Sequence, residues 1–263
     1  MTVKDIMDCL TQEAPLSWQE DYDNAGLQVG DLNNFTQKAL IALDVTEALV
    51  DEAVAKSCDL IISHHPLIFR GMKHITPRTD GERAVIKAVK HDISIVSMHT
   101  NLDNSYVGVS RVLAERLGLR KLQLLQPSPK DAEHCGAGMV GELEHPMEER
   151  EFLNHLATCI GSPCLRHSAL TGKMIQKVGL CGGSGSPFIP DAIRNGVDAY
   201  LTADIKYHDF FAPDGLLLVD GGHFETEQFT KELILRNIQK KFPTFAAEIA
   251  ETNTNSVHYF CKQ

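Results

Sequence analysis

Histidines and carboxylates carry most of the chemistry this chain can offer, and they recur at one kind of place. The run Asp59–Phe69 reads DLIISHHPLIF, an apolar strand pattern ending in Ser63 and two adjacent imidazoles, His64 and His65, before Pro66. A second apolar run, ISIVSMHT, ends in His99, with Asp103 four residues further on. A third, KALIALDVT, ends at Asp44. Later, LTADIKYHD brings Asp204, Lys206 and His208, and GLLLVDGGHFETE brings Asp220, His223, Glu225 and Glu227. Imidazole nitrogen with carboxylate oxygen, and no cysteine among them, is the donor set of a hydrolytic site for zinc, manganese, iron or cobalt.

Spacing sharpens this. Successive strand residues point to opposite faces, so His64 and His65 do not readily chelate one ion. Where the strand ends that alternation relaxes, and adjacent rings can serve two different ions. If HFETE were strand, His223, Glu225 and Glu227 would share a face. If it opens a helix, His223 and Glu227 lie one turn apart and Glu225 points elsewhere. Gly221-Gly222 closes the preceding strand, so the helix is expected, with Glu227 suited to bridge two ions.

Blander readings compete at each position. A lone histidine at a strand end is more often a polar cap than a ligand; the doublet, Asp103 and His-x-x-x-Glu together favour metal. His99 could bond a carboxylate behind the ligands or move a proton, and His208 is a second candidate for proton transfer. Asp44 reads first as a cap for the helix that follows. His74, His91, His134, His145, His155, His167 and His258 have no such partners in the sequence and read as surface or packing residues. CGGSGS, 181–186, could cradle phosphate with backbone N–H groups, but it lacks the Lys-Ser/Thr of a P-loop and the spacing of a dinucleotide fold; a tight turn is the plainer reading.

The elements that must hold these residues alternate. A short helix is expected within 1–13, a strand near Leu27–Val29, then strand 38–46, helix, strand 59–65, helix 81–92, strand 93–100 and helix 108–119. That rhythm predicts a mostly parallel sheet covered on both faces. Residues 120–173 are turn-rich and read as a strand, a loop carrying Pro146 and a helix from about Glu148. The rhythm resumes with KVGLCGGSGS, PDAIRNG, DAYLTAD and GLLLVDGG. TEQFTKELILRNIQKKF follows as one long helix with Phe229, Leu233, Ile234 and Ile238 on its apolar face, and SVHYFCK as a closing strand. The expected division is a lobe over 1–125, a connecting β-α segment over 126–172 and a second lobe over 173–263.

Composition bounds the function. With 263 residues and 43% hydrophobic content the chain can bury a large α/β core. A formal net charge of −10 argues against nucleic-acid binding by phosphate neutralisation and against an anionic membrane surface. No run of about 18 apolar residues is present. The opening MTVKDIMDCLTQEAP lacks a signal-peptide core, so a cytoplasmic location is expected. The seven cysteines are scattered with no C-x-x-C pair, which predicts reduced thiols rather than disulfides or structural zinc.

In this order, DYDNAGLQVGD, SHHPLIF, MHTNLD, GGSG, LTADIKYHD and DGGHFETE resemble the NGG-interacting-factor-three-like family, whose bacterial members are known as homologs of a type-two GTP cyclohydrolase I. The resemblance covers about 1–125 and 173–260 and implies two similar, interlocked α/β lobes with mixed, mostly parallel sheets flanked by helices. It implies a dinuclear centre of two divalent ions per subunit (zinc, iron or manganese), with His65 and Asp103 on one ion, His64 and His223 on the other, and Glu227 bridging. It also implies a toroidal homohexamer. Ala203 stands where many relatives have glycine, while Asp204 keeps the acid. The short span over 126–172 marks a form without the inserted ferredoxin-like domain of some members. The function expected is a metal-dependent hydrolase of a small nucleotide or phosphate-bearing molecule. The rivals are a non-catalytic metal-binding regulatory or interaction protein and a nucleotide-binding module built on CGGSGS.

Overall fold

The computed structural model describes residues 1–211 and 215–260 and falls into two compact units. One contains Met1–Leu102 and Thr230–Ser256; the other contains Asp103–Phe229 and the chain from Val257.

The first unit opens with α1 (Val3–Leu10), started by a capping box in which Thr2 and Asp5 satisfy each other's backbone N–H. Then come β1 (Gly26–Val29), β2 (Lys38–Ala42), α2 (Glu47–Ala55), β3 (Leu60–Ser63), α3 (Asp80–Lys90) and β4 (Ser94–Ser97). The short helix α4 (Thr100–Asp103) leads into the second unit. Thr46 and Thr79 accept from the N–H groups of Leu49 and Glu82 and so start α2 and α3.

The second unit contains α5 (Val109–Arg116), β5 (Arg120–Ser128), β6 (Asp131–Glu148), α6 (Glu149–Ile160), β7 (Arg166–His167), β8 (Met174–Leu180), α7 (Ile189–Arg194), β9 (Ala199–Thr202), β10 (Leu217–Asp220) and α8 (His223–Glu227). The chain returns to the first unit for α9 (Thr230–Lys241) and β11 (Ala246–Ile249).

The first sheet has the order β1-β4-β3-β2-β11, parallel except for β1 against β4. Every residue of β3 and β4 is buried, as two covered faces require. Leu40, Ile61 and Ile95 pack with Leu49, Val50, Ala84, Val85 and Ala88 from α2 and α3. The second sheet has the order β5-β6-β8-β9-β10-β7, with β8, β9 and β10 parallel and the other pairs antiparallel. Its strands alternate between two cores: Leu201, Leu217 and Val219 join Phe152, Leu156 and Ile160, whereas Tyr200 and Leu218 join Ala192, Val197 and Ile205. The molecule is thus mixed α/β, two sheets flanked by helices.

Three local expectations change. The turn-rich stretch after Leu119 is a long hairpin of β5 and β6, and Pro146 lies within β6 where its register to β8 shifts, not in a loop. The glycines there serve close strand approach: a Cβ on Gly136 would stand 2.3 Å from the Gln126 carbonyl oxygen. The long C-terminal helix is two helices, α8 and α9, and Phe229 between them belongs to the core of the second unit, under the Arg116 guanidinium at 3.8 Å. Residues Ser256–Phe260 form no strand; Cys261 and Lys262 lie outside the described residues. The last strand is β11, whose weakly β-forming AAEI pairs with β2 at the sheet edge.

Candidate metal-binding residues

Strands β2, β3 and β4 end level, with Ala42, Ser63 and Ser97 in register, so the residues after them emerge along one sheet edge. Pairing continues past the strands: the N–H of His64 donates to Ala42 at 3.2 Å, that of His65 to Leu43 at 2.9 Å and that of Met98 to Ser63 at 2.9 Å. The Ser63 hydroxyl bonds the His65 carbonyl oxygen at 2.8 Å and meets the Ser97 hydroxyl at 2.8 Å, which fastens the doublet's backbone.

His64, His65 and His99 come together here. Their ring centroids lie 4.8, 5.4 and 5.5 Å apart, and one ring nitrogen from each falls within 4.8 Å of those of the other two. Each ring is anchored through Nδ1: His64 to the Met98 carbonyl oxygen at 2.8 Å, His65 to Asp44 at 2.7 Å and His99 to Asp23 at 2.6 Å. A carbonyl or ionised carboxylate only accepts, so Nδ1 holds a proton in all three rings. Burial opposes the charge on Asp44 and Asp23, yet the bonds from His65 and His99 outweigh it; Asp44 is held below the usual range and Asp23 falls to about 2. Three imidazoles oriented by Nδ1 hydrogen bonds, with a ring nitrogen of each close to those of the others, are a donor set that fits a divalent ion.

Two acids thus have roles that local reading did not supply. Asp44 does not cap α2, which Thr46 does; it orients His65 and also accepts from Thr254 at 2.9 Å. Asp23, absent from the candidates above, also accepts from the N–H of Thr100 at 3.0 Å and from the Thr100 hydroxyl. Its partner is 76 residues away, so periodicity carries no trace of it; the DYDNAG stretch was the only available signal.

The second unit holds the remaining candidates. His223 and Glu227 face each other one turn apart on α8, Nε2 to Oε2 at 3.0 Å, while Glu225 turns to the Tyr259 hydroxyl at 3.4 Å. The helical reading of HFETE therefore holds. His223 Nδ1 bonds Asp204 at 2.7 Å, and the Ser184 hydroxyl donates to the same carboxylate oxygen. Burial disfavours a charged His223, but Asp204 and Glu227 on either side overcome this and raise it to about 11. Burial first, and then the charges of Asp103 and Glu227, push the Cys181 thiol up to about 12, so that thiol is an inert neutral neighbour of two carboxylates.

Gly183 decides the reading of CGGSGS. Its φ is +61°, and a Cβ there would stand 2.1 Å from Glu227 Oε1. Three glycine amides of the loop are engaged: Gly183 donates to the Thr226 hydroxyl at 3.1 Å, Gly185 to the Thr202 hydroxyl at 2.7 Å and Gly182 to the Ser110 hydroxyl at 3.4 Å. The loop makes room for Glu227, and its three glycine N–H groups are turned to hydroxyls within the protein. His208 lies on a 3₁₀ turn, its ring against Tyr207 at 5.2 Å and Phe211 at 6.4 Å; it joins no metal-capable group among the described residues. No helix among them is long and apolar enough to cross a membrane.

The family model Duf34/NIF3 (NGG1p interacting factor 3) matches residues 1–256, and the chain belongs to that family. A Clostridium perfringens protein named GTP cyclohydrolase 1 type 2 homolog is 38% identical over 231 residues, 86% of this chain and 87% of that one. A Bacillus subtilis protein of the same name is 30% identical over 363 aligned positions, 100 more than this chain has residues, covering 95% and 96% of the two chains. The crystal structure of a Staphylococcus aureus protein superposes with a TM-score of 0.90 at 27% identity over 99% of each chain. A Bacillus cereus protein related to NIF3 shares the fold, with a TM-score of 0.90 at 22% identity over 99% of each chain.

Proposed function

We propose that this member of the Duf34/NIF3 family is a hydrolase of a small nucleotide or other phosphate-bearing substrate, dependent on two divalent ions (zinc, iron or manganese) held by His64, His65, Asp103, His223 and Glu227. The observation that carries this reading is the set of imidazoles held through Nδ1, with one ring nitrogen of each within 4.8 Å of those of the other two. The name GTP cyclohydrolase 1 type 2 homolog, borne by relatives, points to the C8–N9 region of a purine nucleotide as a candidate scissile group.

When bound, such ions polarise the substrate and lower the pKa of a shared water. The chain's own residues would do the rest. His99, with Nδ1–H on Asp23, presents Nε2 as a base; accepting a proton there makes an imidazolium that the buried Asp23 carboxylate stabilises. Asp23 is then a positioning residue. His208 is the second candidate to move a proton. A cytoplasmic, ring-shaped homohexamer is the proposed setting.

Protein reloaded with zinc, manganese or iron should turn over at least one member of a panel of nucleotides and phosphoesters. No activity above a Glu227→Gln control across that panel overturns the proposal. The family's description as an interacting factor favours one second reading, a non-catalytic metal-binding regulatory or interaction protein. On that reading Asp103→Ala changes metal content or partner recovery with no catalytic loss to measure.

A further inference from the structure

We infer that Phe69, backed by Tyr22, forms the wall on which the planar heterocycle of the substrate stacks. The inference deepens the function proposed above and rests on it for where the chemistry occurs.

Three consecutive residues follow Pro66, and they part company. Leu67 and Ile68 pack against the core of the first unit, while Phe69 turns outward with 42% of its surface exposed. Tyr22, on another loop of the same unit, is 68% exposed. The two rings meet edge to face, centroids 6.3 Å apart at 74°. Phe69 in turn stands edge-on to His99, centroids 5.8 Å apart at 88°. A row of rings therefore runs from the imidazole cluster to the solvent.

The loops that display these rings are braced to each other. The Asn24 side chain donates to the Ile68 carbonyl oxygen at 2.7 Å, and the Ile68 N–H donates to the Gln28 side-chain oxygen at 3.2 Å. Both backbone groups of the residue before Phe69 are thus held by the segment after Tyr22. Asp23 in that segment is fixed by His99 and by Thr100, its Oδ2 accepting the Thr100 N–H at 3.0 Å. A large apolar ring left in water forgoes burial worth keeping; a fixed pair of rings beside three clustered imidazoles has a use for that exposure. Stacking on an aromatic side chain accepts any π-face, so the ligand class is a planar heteroaromatic ring such as a nucleobase.

The test compares equilibrium binding of two probes, GTP and inorganic tripolyphosphate, to the full-length metal-loaded protein. GTP should bind about tenfold or more tighter than tripolyphosphate. Phe69→Leu, which keeps apolar bulk and removes the π-face, should erase that preference, and Tyr22→Leu should reduce it. Phe69→Trp should keep it, and metal content should stay unchanged in all three variants. Equal binding of the two probes by the wild type overturns the inference. So does a Phe69→Leu protein that keeps the full preference, or one that loses tripolyphosphate affinity in equal measure. If Phe69→Leu instead changes the sedimentation coefficient, the rings belong to a contact between copies and the inference falls. GTP bound with the base preference but never turned over supports the stacking wall while overturning the hydrolase reading alone.

Discussion

At the scale of single residues, ligand chemistry rests on which nitrogen of each imidazole is committed. Because His64 and His65 bond Met98 and Asp44 through Nδ1, the proposed ligand atom of each is Nε2. On the proposed two-ion site, replacing either by alanine should lower the bound metal, measured by elemental analysis, from two equivalents toward about one. A variant that keeps full stoichiometry would show that its ring is not a ligand. Gly183 offers a sharper substitution. A Cβ at 2.1 Å from Glu227 Oε1, on a backbone with φ of +61°, strains the loop and displaces the carboxylate. Gly183→Ala should cost about 2–4 kcal/mol in urea unfolding, combining left-handed strain and overlap, and should bind metal weakly. Wild-type stability and stoichiometry in this variant would remove Gly183 from the site.

At the scale of elements, α2 is tied to the chain after β11 through one carboxylate. Glu52 accepts the backbone N–H groups of Glu251 and Thr252 at 2.8 Å each and pairs with Lys56 at 3.0 Å. Burial alone would raise its pKa, but these donors bring it down to about 2. A carboxylate depressed in the folded state contributes stability above its unfolded pKa, near 4.5, and loses it as pH falls through about 2. That contribution is at most about 3.5 kcal/mol, since each pKa unit is worth about 1.4 kcal/mol. Urea midpoints measured from pH 5 down to pH 2 should fall less steeply for Glu52→Gln than for the wild type, and that variant should be less stable at neutral pH. Identical acid slopes would mean that the tie is broken in solution.

At the scale of the whole molecule, an ion that binds only the folded protein stabilises it by mass action. Saturation at a thousandfold above Kd adds about 4 kcal/mol, so zinc or manganese should raise the thermal midpoint and a chelator should reverse the gain. No shift under saturating ion would count against a folded-state metal site. Assembly is a separate measurement. The proposed ring of six chains of 29.1 kDa should sediment at about 175 kDa, and a 29 kDa species at micromolar concentration would exclude it.

The amino-acid sequence by itself determined the strand ends and what stands on them. Apolar runs of four or five residues closed by His64-His65, His99 and Asp204 are local facts, and so is the turn-length spacing of His223 and Glu227. They sufficed for the first sheet, where strand, helix and cap signals agree. They failed where glycine and proline serve tertiary packing, as in the β5–β6 hairpin, because those residues read as turns unless the neighbouring strand is known. They failed also for AAEI, whose strand conformation comes from its partner β2. Only the tertiary structure decided the roles of Asp23 and Asp44. A hydrogen bond that fixes a tautomer needs two atoms within about 3 Å, and chain separations of 76 and 21 residues leave no mark on local pattern.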